Sequence, residues 1–493
     1  MALLPIKLPP GIYRNGTELD ASGRWYDANF VRWVEGMVRP IGGWQQRTST
    51  QMSGKPRGMI TWRDNGGSRW ISVGTHTKLY AVTQLNTVVD ITPTGFTPGN
   101  ENGTVYNGYS SGNYGTSPYG TSRPDVGSVT PATTWTMDTW GEYLVACANY
   151  DGKIYQWELD ATTPTKAVAV TNAPTNNVGV LVTNERAMMA LGAGGNPRKI
   201  QWSDLEDNTV WTPSSTNNAG SIILQTGGKI ITGKRVRGQN LILTDMDAHI
   251  VSYTSQPFVY TSEYAGRACG LAGANAVAVQ DNFAVWMGPR GFFMYDGYVK
   301  SVSCEVSDYV FSDINEAQLS KVYAVNNSQF NEVWWFYPSS SSMENDRYVV
   351  WDYAQNYWTI GTLARAAGTD RGQFANPLFV TVDGYIYDHE IGVNHGGEEV
   401  YLESGPVQIG NGDRVFYVNE LIPDERTQGQ VTVSFSTKYY PNAPVWSHGP
   451  YSMSNPTSVR FNGRQVKMKI IAQDNVDWRV GTMRIEAVGG GRR

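Results

Sequence analysis

The chain is 493 residues long, more than one ordinary core accommodates, so several domains or one large repeat assembly are expected. Glycine (53), tyrosine (28) and tryptophan (17) are plentiful and only 17% of residues are charged, a mixture that favours turns and half-buried strands. A formal net charge of −5 argues against a dedicated nucleic-acid gripper, and no apolar run is long enough for an ordinary membrane-spanning helix.

The first ten residues lack the apolar core of a signal peptide, because Pro5, Pro9 and Pro10 interrupt them. The stretch 11–47 is dense in arginine and tryptophan, with Trp25, Trp33 and Trp44 as expected anchors, and 1–55 reads as an N-terminal β arm. A different pattern follows. Seven times an apolar strand, a turn and a second strand ending in an aromatic recur, at 69–82, 142–157, 185–202, 239–253, 282–295, 331–351 and 377–387. Asp151-Gly152 and Asp383-Gly384 mark two of the turns as tight hairpins in which both central residues would take positive φ.

The closing aromatics are Tyr80, Tyr155, Trp202, Tyr253, Tyr295, Trp351 and Tyr387. Their spacing after the first gap runs from 36 to 56 residues, close to the roughly 40–50 of a four-stranded propeller blade. The first gap, 75, contains a Gly/Ser/Tyr-rich insertion at 98–127 whose removal brings it into the series. A lone hairpin cannot bury its face, whereas radial stacking of such sheets can. The expected fold is therefore all-β: a β-propeller over 56–400, with seven blades counted and six or eight left open. Tandem β-sandwiches are the other reading. Residues 401–493 read as a separate sandwich-like β unit of roughly four strands, in which Val466, Met468 and Ile470 face a core and Lys467 and Lys469 face out.

Three segments imitate chemistry. Residues 228–235 nearly match a phosphate-binding loop, but Arg235 stands where Ser or Thr must hold Mg²⁺, and a strand follows where a helix is needed. Asp245, Asp247 and His249 have a spacing that suits a metal on a strand, yet the segment fits a hairpin turn better. The acidic run 203–207 falls in a blade loop. The five histidines are scattered and Cys147, Cys269 and Cys304 form no metal-binding spacing, so they read as small buried hydrophobes. No catalytic residue, cofactor or metal is expected.

Two regions read as contact surfaces. Tyr106, Tyr109, Tyr114 and Tyr119 lie among glycine and serine, a composition suited to adaptable contacts with a neighbouring subunit. The C-terminal stretch carries Arg464, Lys467, Lys469, Arg479 and Arg484, a locally basic group that could meet an acidic neighbour or DNA phosphate.

Three stretches resemble the tail hub, or nozzle, proteins of short-tailed bacteriophages, including the packaged-DNA stabilisation proteins. The first runs from Tyr13-Arg14-Asn15-Gly16 through Gly23-Arg24-Trp25-Tyr26 to Arg39-Pro40-Ile41-Gly42-Gly43-Trp44. The second is Ile200-Gln201-Trp202-Ser203-Asp204 through Asp207, with 230–253. The third is 464–469 with 478–486. The motifs are diffuse but span most of the chain, and the Tyr-rich insertion has no counterpart. The resemblance implies a homohexameric ring in the virion tail, assembled in the host bacterial cytoplasm. It further implies a head–tail adaptor above, tailspikes, tail fibres, a tail needle or plug attached, and double-stranded DNA passing through. The alternatives are a carbohydrate-binding propeller lectin and a propeller glycosidase.

Overall fold

In the computed structural model, residues 2–105, 129–161, 165–408, 414–426, 430–472 and 476–491 are described. All seven expected hairpins form, and each supplies the middle two strands of a four-stranded antiparallel sheet. Blade 1 is built from Pro56–Arg63, Arg69–Thr75, Leu79–Val82 and Val88–Asp90. The innermost strands of blades 2 to 7 are Trp135–Trp140, Gly179–Val182, Ile230–Val236, Val277–Val279, Tyr323–Asn327 and Ala367–Thr369. Each packs beside the next around a central axis, and Ala367–Thr369 returns to Pro56–Arg63. The fold is a seven-bladed β-propeller.

The stacking explains why the middle strands read as unbroken apolar runs. In Tyr143–Ala148, Leu144 and Ala146 join the core shared with blade 1, whereas Val145 and Cys147 join the core shared with blade 3. Met188 and Ala190 likewise face blade 2, while Met189 and Leu191 face blade 4. Both faces of a blade are covered, so alternation of side-chain direction produces no alternation of polarity. Each Val, Leu or Met among these residues contributes about 1.5–3 kcal/mol by leaving water. Cys147, Cys269 and Cys304 are buried and unpaired among the described residues. Burial pushes all three thiols up, Cys269 to about 11.

The Asp-Gly turns differ in one respect from expectation. Only the glycines, Gly152 (φ 69°) and Gly384 (φ 85°), take positive φ. The connections are longer than two residues, and there a single left-handed residue closes the loop. A side chain is excluded at both positions for a second reason. A Cβ on Gly152 would meet the Asn176 backbone at 2.6 Å, and one on Gly384 would meet the Met52 carbonyl oxygen at 2.3 Å.

The seventh blade takes its outer strand from the other end of the chain. Trp44–Gln46 pairs antiparallel with Ile386–His389, so the N-terminal arm closes the ring. Arg47 reinforces the seam with two bonds to Asp388, at 2.6 and 3.0 Å. The rest of the arm is distributed as well. Ala2–Ile6 edges a four-stranded sheet with Met483–Gly489, Phe416–Ile422 and Thr457–Gly463. Trp25–Asn29 edges a six-stranded sheet with Tyr401–Ser404, Gln465–Ala472, Val431–Lys438, Trp446–Ser452 and the short Val407–Gln408. Among the described residues the C-terminal unit thus has eight strands of its own and not the roughly four expected. Segments such as Trp446–Ser452, which is mostly exposed and contains Gly449 and Pro450, carry no strand pattern in sequence. Val466, Met468 and Ile470 are buried in it, as alternation requires.

Between the two modules lies the hairpin Val31–Val34 with Met37–Pro40, which carries Arg32 into a buried site. Arg32 makes two bonds to Glu332 of blade 6, at 2.9 and 2.8 Å, and two to Glu390 after blade 7's third strand, at 2.9 and 2.6 Å. Its guanidinium lies 3.7 Å from the centre of the Phe330 ring. Burial alone would disfavour the charge, but the two carboxylates outweigh it and hold Arg32 protonated above its ordinary value. Glu390 is held below the usual carboxylate range, against burial, by Arg32, the Gly42 N–H and Asn327. Burial pushes Glu332 the other way.

Two outcomes are expected. Arg32→Met strands two buried carboxylates and should cost about 3–5 kcal/mol in denaturant unfolding, with Arg32→Lys recovering little because it lacks the bidentate fork. The closing seam should also be acid-sensitive. Burial, then Arg365 and His395, push His389 well below its ordinary 6.5, and its Nε2 accepts a hydrogen bond from Arg365 Nε at 3.0 Å. A histidine whose folded pKa is depressed contributes fully above the unfolded value and loses that contribution as pH falls below about 6.5. Thermal melts from pH 7.5 to 5 should therefore fall less steeply for His389→Gln, by up to about 2 kcal/mol at pH 5.

Candidate functional site: the axial face of the propeller

Each blade begins at one end of the axis, and the turns between second and third strands return to the same end. Both described ends of the longest linker also lie there. The chain leaves blade 1 at Asp90 and reaches blade 2 at Trp135, and its described parts cross the face to the linker between blades 5 and 6. That linker breaks the β pattern with a helix, Ser307–Asp313, and a 3-10 turn, Glu316–Lys321, whose N-cap Asn315 accepts a hydrogen bond from the Ala317 N–H.

The crossing is pinned by side chains. The buried Gln318 amide accepts from the Gly103 N–H at 2.9 Å and donates to the Gly103 carbonyl at 2.8 Å. Ser320 Oγ accepts from the Ala132 N–H at 3.1 Å. The Lys321 ammonium donates to Asn102 Oδ1 and Met343 O, both at 2.6 Å, and to Glu344 Oε1 at 3.0 Å. Glu344 also receives two bonds from Arg57 at the start of blade 1, at 2.9 and 2.6 Å. Burial and the Arg57 charge push Lys321 down to about 8 in spite of Glu344. Three acceptors match the three ammonium donors, so the group serves as a fastener between the strap, blade 1 and blade 6.

Where the inner strands begin, Asn275, which precedes blade 5, donates to the Arg57 carbonyl at 3.1 Å and the Trp135 carbonyl at 3.2 Å. These belong to the innermost strands of blades 1 and 2. One amide therefore bridges the bore at this level. Beside the strap remains an open cleft of about 520 Å³. Ile230, Ile231, Leu319 and Val178 form its apolar walls, and Tyr150, Lys229, Asp245 and Glu316 contribute polar groups.

The residues singled out in sequence fall elsewhere. Tyr106, Tyr109, Tyr114 and Tyr119 lie outside the described residues. Lys467 pairs with Glu18 and, at 3.3 Å, with Glu403, while Lys469 pairs with Glu399 at 3.2 Å. Arg479 is 3.6 Å from Asp477, Arg464 is half-buried after Thr457–Gly463, and Arg484 is exposed opposite Pro5. Much of the local positive charge is thus met within the chain. Asp245 accepts the Lys229 N–H at 2.7 Å, and Asp247 accepts from Thr244 Oγ1 at 2.6 Å and lies 3.3 Å from His249. Among the described residues, no three His, Cys, Asp or Glu side chains are grouped to hold a metal ion. Residues 230–236 form the inner strand of blade 4. The strap anchors and Asn275 escaped sequence reasoning, because their partners across the face are 140 to 219 residues away and no local pattern announces them. The capping Asn315 ahead of Glu316–Lys321 is a local pattern that could have marked this linker.

No family model and no curated protein matches the chain. Among solved structures it is similar to virginiamycin B lyase from Staphylococcus aureus, at 9% identity over 70% of this chain and 98% of that one, with a TM-score of 0.42. It is also similar to BamB from Moraxella catarrhalis, at 10% identity over 71% of this chain and 99% of that one, with a TM-score of 0.34. These likenesses carry no argument about chemistry.

The strap yields a test of its own. Gln318→Ala leaves the buried Gly103 groups without partners and should cost about 1–3 kcal/mol. Amide exchange should quicken at 99–103 and 130–133 and stay unchanged in the middle strands of blade 4.

Proposed function

We propose that the chain is a structural subunit of the tail hub, or nozzle, of a short-tailed bacteriophage, and not an enzyme. Six copies would form a ring that continues the DNA channel below the head–tail adaptor and retains the packaged genome. The same ring would dock tailspikes, fibres or a needle-like plug. The reading starts from the resemblance in the N-terminal stretch. One observation supports it most directly: those same residues are the mechanical tie of the molecule. Arg14 N–H bonds to the Glu305 carbonyl at 2.8 Å, Arg24 pairs with Glu305 at 2.6 Å, and the run from Arg39 to Trp44 leads into the closing strand of blade 7. A wall subunit under axial load needs its modules fastened in this way.

The bridged bore bears on where such a conduit would run. A duplex would not pass through a propeller crossed by Asn275, so on this reading the channel would run between copies, around the ring axis. A net charge of −5 suits a conduit, since clustered Lys and Arg would hold phosphate and slow passage.

Cryo-electron microscopy of purified protein and of virions is the test. The expected result is a closed ring on a rotational axis, with each propeller bore blocked and any DNA density on the ring axis. A protein that stays monomeric at high concentration and is absent from particles overturns the proposal.

A further inference from the structure

The cleft on the axial face has a composition that the hub role does not use. Its volume, about 520 Å³, lies in the range of small-ligand sites, and its walls are mainly aliphatic. At the mouth, Tyr150 is 53% exposed and Glu316, Lys229 and Asp245 all face solvent. The Lys229 ammonium and the Glu316 carboxylate form no ion pair among the described residues, and only one Asp245 oxygen is engaged, by the Lys229 N–H. Acceptors and a donor therefore stand ready around one opening.

The mixture of signs selects the ligand. An anion would meet Asp245 and Glu316, and a cation would meet Lys229, each repulsion offsetting what the opposite charge gains. A hydroxyl group suffers neither, because it donates to a carboxylate and accepts from an ammonium. The aliphatic walls and the flat Tyr150 ring need a ligand with apolar C–H faces as well. We infer that this cleft binds a neutral saccharide, its hydroxyls held by Glu316, Asp245 and Lys229 and its C–H face set against Tyr150. The inference stands apart from ring assembly: a hub subunit and a monomeric propeller could equally carry it.

A printed array of neutral and anionic glycans, followed by calorimetric titration with the neutral glycan best retained, tests it. Neutral glycans should be retained in preference to anionic ones. Tyr150→Ala should weaken binding by about tenfold or more, Tyr150→Phe by about threefold at most, and Glu316→Gln by about fivefold. Both positions are exposed, so the melting temperature should not move. Retention of no glycan, retention of anionic glycans only, or neutral-glycan binding indifferent to both Tyr150→Ala and Glu316→Gln overturns the inference. Ring formation is read separately by microscopy, so either idea can fail while the other survives.

Discussion

The buried contact between Arg32, Glu332 and Glu390 is the constraint on which the architecture turns. A propeller must be closed by some strand, and here that strand, Trp44–Gln46, comes from the N-terminal arm. Three residues is a weak seam by hydrogen bonding alone. Arg32 changes this by clamping the arm to blades 6 and 7 at once, with four hydrogen bonds, its own side chain and that of Glu332 being only 2% exposed. Desolvating such charges is expensive, and only the bidentate geometry and the added donors Asn327, Trp334 and Gly42 make it tolerable. The contact therefore specifies one arrangement of arm and ring far more than it adds stability.

From that clamp the arm runs both ways. Toward the C-terminus of the arm it closes the ring. Toward its start it lends Ala2–Ile6 and Trp25–Asn29 to the two sheets of the sandwich, while Val38 exchanges backbone bonds with Val480 at 3.1 and 3.3 Å. Propeller and sandwich thus share one segment. The axial face shows the same economy, with Gln318, Ser320 and Lys321 on one short turn fastening a linker that crosses from blade 1 to blade 2. Asn275 adds a tie across the bore, joining blade 5 to the inner strands of blades 1 and 2.

Parts of this were legible in the residues. The hairpins at 69–82 through 377–387 stand out because each is a local unit whose turn and flanking strands lie within about 20 residues. Their spacing implies radial repetition, since no hairpin buries its own face. The Asp-Gly turns were located correctly, but their backbone geometry depends on loop length and on Asn176 and Met52 packed against the glycines. The basic C-terminal group was visible as composition. That Lys467 and Lys469 meet Glu18, Glu403 and Glu399 was not, because those carboxylates arrive from other strands.

The sequence by itself determined the all-β class, the recurrence of the blade hairpin and the interruption after the first blade, because each is written in local period and turn chemistry. Only the tertiary structure decided how the ring closes, that the N-terminal arm is divided between both modules, that the bore is bridged, and that a mixed-charge cleft opens beside it. Those features pair residues such as Arg32 with Glu332, 300 positions apart, or Gln318 with Gly103, 215 apart. Side chains so distant leave no period to read; burial and geometry alone bring them together.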